Sequence, residues 1–195
     1  MPSSYGRVSV VRRGPQVTVQ NAELQITYDL SEGLWSYANS EGQALIRGVC
    51  ARWRLEDDRT GATSDPCDRS FHAAPTHSEV HGSGVELVFT HSSEDSEVVA
   101  ELCLYVYEAV PFAILKARVR NVGRRVFRVA RLYLIDVPKS ETHATAGIQL
   151  GSRPTDCLAH FTGSLFMAHG ARPIHRDAVF PDELTDEPIS DGLIY

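Results

Sequence analysis

Residues 98–107 read VVAELCLYVY and predict a β-strand, the first of three successive antiparallel strands. The second strand is predicted over residues 112–120 and the third over residues 126–137. Between these two, Asn121-Val122-Gly123 supplies residue types that tolerate positive φ, so the chain can reverse within a few positions. The sequence therefore predicts a β-meander, in which each strand pairs with the next.

The first two of these strands each carry an apolar face. In the first strand that face consists of Val98, Ala100, Leu102, Leu104 and Val106. In the second strand it consists of Ala113, Leu115, Ala117 and Val119. Lys116, Arg118 and Arg120 point the other way, because successive side chains of a strand alternate between faces. One face of the sheet is thus predicted to meet a core, and the other to meet water or a charged partner.

Further strands are predicted along the chain, separated by polar and glycine-containing turns. They cover residues 17–20, 24–28, 34–37, 44–47, 49–55, 76–80, 85–91 and 157–168. No window keeps an apolar period of 3.6 residues, so helix is limited to a turn or two. Strands this numerous must bury one face against a second sheet. We therefore predict an all-β fold, a two-layer antiparallel sandwich with little helix, in a single domain over residues 1–195.

Charge separates the possible partner classes. The chain has 195 residues, 43% of them apolar, and a formal net charge of −6. Nucleic-acid binding normally needs a basic surface that displaces counterions, so we expect no nucleic-acid partner. The charge is uneven, because residues 109–135 contain seven basic residues and no acidic one. The simpler interpretation of this stretch is the solvated face of a sheet, and the alternative is a surface for an anionic sugar or another partner.

Sequence signals for membranes and redox chemistry are missing. The N-terminal residues MPSSYGR lack the apolar segment of a secretory signal, and no apolar run reaches the length that spans a bilayer. The four cysteines show no C-x-x-C spacing, which argues against a zinc ribbon or a thioredoxin-type site. We therefore expect a cytoplasmic protein with reduced thiols and no membrane partner.

Catalytic and metal-binding patterns are also missing. Eight histidines are present, but His72, His77, His81 and His91 could share an ion only if neighbouring strands brought them together. Adjacent acidic residues lie in polar segments and read as loop charges, and no G-x-S-x-G motif occurs. The sequence therefore predicts no catalytic residue, no metal ligand and no cofactor.

Aromatic side chains on strands are the remaining candidates for binding. An exposed indole can stack on the apolar face of a sugar ring while polar neighbours bond to its hydroxyls. Arg52 and Arg54 flank Trp53, so the predicted carbohydrate site consists of Trp53, Arg52, Arg54 and Trp35. On a regular strand both arginines point away from Trp53, so one shared site requires a bulge or a neighbouring strand. The alternative is that the tryptophans pack in the core.

Short segments along the chain carry a resemblance to one family. They are NAELQITY at 21–28, GLWS at 33–36, YVYEAVPF at 105–112, VRNVG at 119–123 and SDGL at 190–193. They resemble the N-terminal β-supersandwich of α-galactosidase-like glycoside hydrolases, the melibiase and raffinose-synthase group. The resemblance implies a galactose-mutarotase-like fold and a separate (β/α)8 barrel that carries the catalytic aspartates.

No alternation of strands and helices in this sequence could form that barrel, so no catalytic residue is carried over. The resemblance implies a non-catalytic carbohydrate-associated domain, which binds sugar or packs against a catalytic barrel as the N-terminal part of a longer glycoside hydrolase. Because galactose mutarotases share the fold, an aldose 1-epimerase is the alternative. The expected partners are a carbohydrate and either a catalytic barrel domain or a second copy of the chain.

Overall fold

The computed structural model describes residues 3–92, 97–136, 147–148, 157–161 and 170–174. In chain order the strands are β1 (Ser3–Tyr5), β2 (Val8–Arg13), β3 (Gln16–Gln20), β4 (Leu24–Asp29), β5 (Leu34–Asn39), β6 (Ala44–Leu55), β7 (Thr60–Ala62), β8 (Asp68–Ser78), β9 (Gly82–Ser92), β10 (Val98–Tyr107), β11 (Ala113–Asn121), β12 (Val129–Asp136), β13 (Gly147–Ile148), β14 (Cys157–Phe161) and β15 (Gly170–Ile174). The described residues contain no helix, and hence none that is long and apolar enough to cross a membrane.

The chain divides into two compact units, Met1–Ala146 and Gly147–Tyr195. All strands from β1 to β12 belong to the first unit. In the second unit, β14 and β15 pair antiparallel. The strand predicted over residues 157–168 is described only as far as Phe161, and its remainder lies outside the described residues. The single domain expected over residues 1–195 stays a prediction, because two compact units can belong to one domain or to two.

The larger sheet of the first unit has eight strands. Its order is β1-β2-β3-β4-β5-β6-β12, and β7 also pairs with β6. The residues predicted as two strands, 44–47 and 49–55, form the single long strand β6 with a bulge opposite Ser36. Gly48 has a φ of 55° there, and its amide donates to Ser36 Oγ at 3.0 Å. Beyond the bulge, β6 leaves β5 and pairs with β7 and β12.

The smaller sheet has the order β11-β10-β9-β8, and all its pairs are antiparallel. The predicted apolar face of β10 is confirmed, because Ala100, Leu102, Leu104 and Val106 are buried in the core. The predicted face of β11 is also confirmed for its first three members, which pack against that core. Lys116, Arg118 and Arg120 are exposed on the opposite face, as expected.

The predicted meander is wrong at its third strand. β12 does not pair with β11, but crosses to the larger sheet and pairs with β6. The connection over residues 122–128 is longer than a tight hairpin loop, and the Glu56 amide donates to Arg128 O at 2.9 Å at its end. This bond fixes the chain beside the end of β6 before β12 begins.

The core lies between the two sheets. Its largest buried side chains come from both layers: Tyr28, Leu24, Ile26, Val8, Val17, Val19 and Val49 from the larger sheet, and Phe89, Leu87, Leu102 and Val85 from the smaller. The prediction of an all-β, two-layer antiparallel sandwich is therefore confirmed.

Candidate functional site

A cleft of about 190 Å³ opens between the two sheets, at the end of the sandwich where β9 finishes and β10 begins. Trp53 and Gly61 line it from the larger sheet, and His91, Ser92 and Val98 line it from the smaller sheet. We refer to this space as the Trp53 cleft. In this cleft a strand aromatic, Trp53, and a buried polar side chain, His91, meet at an accessible surface.

Trp53 reaches the cleft because of its register on β6. It shares a face with Ala51 and Leu55, which are both buried, so its indole points toward the smaller sheet. Its neighbours across the strands are Gly61 on β7 and Leu132 on β12. A Cβ atom on Gly61 would lie 2.4 Å from indole Cζ2, so the ring occupies the space that a side chain would fill. The ring is half-buried.

The rim of the Trp53 cleft is polar. Thr60 and Ser92 contribute hydroxyl groups, and Arg59 and Asp65 contribute opposite charges. Arg59 Nε donates to Asp57 Oδ2 at 2.8 Å, and this bond lowers the pKa of the Asp57 carboxyl. Asp65 Oδ2 accepts a bond of 2.7 Å from the Ala62 amide, which leaves further acceptor capacity on the carboxylate. The cleft thus combines one apolar ring with donors and acceptors suited to a hydroxyl-rich ligand.

His91 forms the inner wall of the cleft and is 3% exposed. Its Nδ1 lies 3.2 Å from Ala100 O, and because a carbonyl only accepts, Nδ1 carries the proton. Nε2 is then the acceptor for the hydroxyl of Tyr28. Burial lowers the pKa of His91 to about 4 and raises the pKa of Tyr28. Both groups are therefore neutral near pH 7. Their mutual bond holds the His91 ring in place as a neutral polar wall of the cleft.

Arg69 holds the loop that carries Asp65. Its guanidinium donates to four backbone carbonyls: Thr63 O at 3.0 Å, Leu30 O at 3.4 Å, Ser31 O at 2.9 Å and Asp65 O at 2.5 Å. These bonds connect the turn after β4 with the segment after β7. A guanidinium suits this role, because its planar fork presents several donors at once. The rim of the cleft is consequently positioned by charge-assisted bonds to backbone.

The sequence analysis named His91 only as one of four histidines that could share a metal ion, and it did not select Arg69. The signal for His91 was present in its spacing, since Val85, Leu87, Phe89 and His91 share one face of β9 and are all buried. A histidine in phase with three apolar residues predicts a buried, hydrogen-bonded side chain. No comparable local pattern marks Arg69, whose partners are distant in sequence.

The structure does not bring Arg52 and Arg54 to Trp53. Arg52 Nε binds Asp136 Oδ2 at 2.7 Å, and Arg54 Nη2 binds Asp58 Oδ1 at 2.5 Å. Both arginines lie on the face of β6 opposite the indole, because the register with β7 is regular from Arg52 to Arg54. The register shifts in this part of the sheet belong to the pairing of β12 with β6, between Val129 and Arg131 and between Tyr133 and Asp136, and they do not turn the two arginines toward the indole.

Trp35 lies in the core. It is 6% exposed and belongs to the cluster between the sheets. Its indole Nε1 has no hydrogen-bond partner among the described residues. A ring buried in this way offers no open face to a sugar, so Trp35 acts as a core residue in this structure.

The candidate histidines do not converge. His72 is exposed near the middle of β8, and His77 is exposed near the end of that strand. The ring of His81 packs against Tyr107 and Phe112, and His91 is buried. Within the described part of the chain, no group of three His, Cys, Asp or Glu side chains is placed to hold a metal ion.

A second cleft, of about 490 Å³, lies at the other end of β8 and β9. Tyr5, His77, Ser83 and Glu108 are among the residues that line it. We refer to it as the His77 cleft. It places an imidazole, a carboxylate and a phenol around one open space, which are groups that can exchange protons with a ligand.

Comparison of the chain with protein families, with curated proteins and with solved structures finds no match.

Proposed function

We propose that this sandwich is a non-catalytic carbohydrate-associated domain that binds a sugar in the Trp53 cleft. The observation that carries the proposal is the half-buried indole of Trp53, which lies across Gly61 in the wall of a cleft with a polar rim. Such a ring can stack on the apolar face of a pyranose, while Thr60, Ser92 and Asp65 bond to hydroxyl groups. The family resemblance of the sequence supports the same class of ligand.

The size of the cleft limits the ligand. Pockets for drug-sized molecules measure roughly 300–1,000 Å³, and the Trp53 cleft measures about 190 Å³. It therefore suits one sugar ring, such as the end of an oligosaccharide. One stacking contact of about 0.5–1.5 kcal/mol and a few hydrogen bonds of about 0.5–1.5 kcal/mol each must offset the cost of association. We expect a dissociation constant near the millimolar range, about −4 kcal/mol.

The two tryptophans provide the test. In a nitrogen-15 correlation spectrum their indole N–H groups give separate signals, and Trp35 is the internal control because it is buried away from the cleft. Titration with galactose, glucose and glucuronic acid is expected to shift the Trp53 signal and leave the Trp35 signal in place. Trp53→Ala should abolish binding, and Arg54→Ala, on the other face of the same strand, should preserve it.

One result would contradict the proposal directly. If the Trp53 signal stays in place at sugar concentrations far above the millimolar range, the cleft is not a sugar site. Equal shifts at Trp35 and Trp53 would also contradict it, because they would report a general change of the solution.

A surface for a catalytic barrel is part of the same proposal. Leu132 and Leu134 on β12 are 41% and 37% exposed, and Leu132 lies beside Trp53. Exposed apolar side chains next to the cleft suit docking of a catalytic domain or of a second copy. Sedimentation of the full chain at increasing concentration tests the second copy: association that Leu132→Glu removes would support it, and a monomer at all concentrations would exclude it.

The His77 cleft favours the second candidate function, an aldose 1-epimerase. Ring opening of a sugar needs one group that removes a proton and one that supplies it, and His77 and Glu108 both line this cleft. Polarimetry of freshly dissolved α-D-galactose tests the activity. Accelerated equilibration that is lost in both His77→Gln and Glu108→Gln would support the epimerase, whereas a rate equal to the buffer rate would exclude it.

A further inference from the structure

The smaller sheet has an edge at β11 in the part of the chain that the structure describes. One side of β11 pairs with β10 along its whole length, from Val98 opposite Asn121 to Val106 opposite Ala113. An edge strand presents backbone N–H and C=O groups on its other side, which can pair with a further strand. The side chains of β11 show what kind of strand would fit.

The outer face of β11 carries three cations at every second residue: Lys116, Arg118 and Arg120. All three are exposed, and residues on one face of a strand are about 7 Å apart. Both arginines contact Glu101, whose side chain is 12% exposed, with Arg120 Nη2 at 2.7 Å and Arg118 Nη1 at 3.7 Å. Lys116 Nζ lies 4.6 Å from the centre of the Tyr105 ring. These contacts hold the cations in a row.

The inner face of β11 is apolar and incompletely covered. Ala113, Leu115 and Ala117 pack against the core but remain partly exposed. The apolar layer of the sandwich therefore reaches the edge at β11. A further strand that placed apolar side chains beside these residues would extend that layer.

Charge excludes one occupant of this edge and favours another. A second copy that added its own β11 would bring cations directly opposite cations, which is destabilising. Charged edge strands are a common protection against such self-pairing. An acidic strand has the opposite effect, because each carboxylate would face Lys116, Arg118 or Arg120. Residues 109–135 contain no acidic residue, so the carboxylate with which an incoming one would share the two arginines is that of Glu101 on β10.

We propose that β11 binds an extended peptide segment by strand addition, and that this segment alternates acidic with apolar residues. Its backbone pairs with the edge of β11, its acidic side chains lie beside the three cations, and its apolar side chains continue the core. The two-residue period of the cations favours a strand over an anionic polysaccharide, which has no backbone to pair with a sheet edge. This interaction is independent of sugar binding in the Trp53 cleft.

A synthetic peptide of alternating glutamate and valine, matched to the nine residues of β11, is the probe. Fluorescence anisotropy with the full chain should show binding that weakens as salt increases, because exposed charges are screened. Lys116→Glu should lower the affinity about tenfold, since it replaces an attraction by a repulsion. Arg13→Glu makes the same change of charge on the exposed surface of β2 and should leave the affinity unchanged.

Further peptides separate strand addition from charge alone. Two peptides, each methylated on one of the two alternating sets of backbone nitrogens, keep the charge but lose the N–H groups of one edge. The peptide that loses the N–H groups facing β11 should not bind, whereas the other should still bind. A peptide of the same composition with its glutamates grouped together should bind more weakly. Equal binding of all these peptides would overturn the proposal. Binding of heparin without binding of the alternating peptide would also overturn it, and so would an unchanged affinity of Lys116→Glu for the alternating peptide.

Discussion

Acid is expected to destabilise this sandwich through one buried side chain, His91. The imidazole is 3% exposed, and burial lowers its pKa from the ordinary 6.5 to about 4. The hydrogen bond to Ala100 O opposes this effect, and the charge of Arg69 adds to it. The imidazolium is therefore unfavourable in the folded protein, while the unfolded chain accepts the proton at the ordinary pKa.

The sign follows from the number of protons bound. Between the two pKa values the unfolded chain binds more protons than the folded protein, so the free energy of unfolding falls as the pH falls. The contribution of His91 is complete above pH 6.5, declines toward about pH 4 and is lost below it. The difference of 2.5 between 6.5 and about 4 corresponds to about 3 kcal/mol, at roughly 1.4 kcal/mol for each pH unit. This is a large part of the roughly 5–15 kcal/mol that stabilises a typical domain.

Urea unfolding measured by circular dichroism at several pH values tests this expectation. From about pH 7 to about pH 4.5, the free energy of unfolding should fall with a limiting slope of about 1.4 kcal/mol per pH unit. In the double variant Tyr28→Phe/His91→Phe this slope should disappear. Tyr28 is replaced together with His91 because its buried hydroxyl would otherwise lose its hydrogen-bond partner. The matched control is His72→Gln, which removes an exposed histidine and should keep the parental slope.

Asp29 titrates in a lower window. Burial acts to raise the pKa of its carboxyl, but hydrogen bonds from Ser31 and Glu32 outweigh burial and lower the pKa below 3.8. As the pH falls, the effect of Asp29 therefore begins where the loss of the His91 contribution is almost complete. If the parent and the double variant show the same pH dependence above about pH 4.5, the assignment to His91 is refuted.

Two further predictions concern stability and are measured by thermal and urea unfolding. Trp35→Ala should lower the free energy of unfolding by about 3–5 kcal/mol, because the ring is fully packed. Trp53→Ala should lower it clearly less, since its ring is half-buried. Equal losses would show that Trp53 is also a core residue. Gly33→Ala should destabilise more than Gly14→Ala: both glycines have positive φ, but a Cβ at Gly33 would lie 1.8 Å from Thr63 O, while nothing lies within 4 Å of one at Gly14. The strain common to both is about 1–2 kcal/mol, and equal losses would show that the turn at Gly33 relaxes.

The strands of the sandwich were predictable where the local pattern was sufficient. Residues 98–107 were predicted as a strand, and β10 has those bounds, because period-two alternation is a property of the segment itself. The start of β8 was not predicted. Phe71 and Ala73 pack against the core, but the positions before and after them on the same face are Arg69 and Pro75. The apolar alternation is therefore too short to predict a strand over residues 68–75.

Sheet membership and side-chain environment depended on the tertiary structure. The alternation of β12 is the same whether the strand pairs with β11 or with β6, and only the path of residues 122–128 decides between them. Trp35 and Trp53 both lie on strands, but the smaller sheet covers the first and leaves the second at a cleft. A sequence determines which face of a strand a residue occupies, because that depends on local geometry. Whether that face is covered depends on residues distant in the chain, and only the folded structure brings them together.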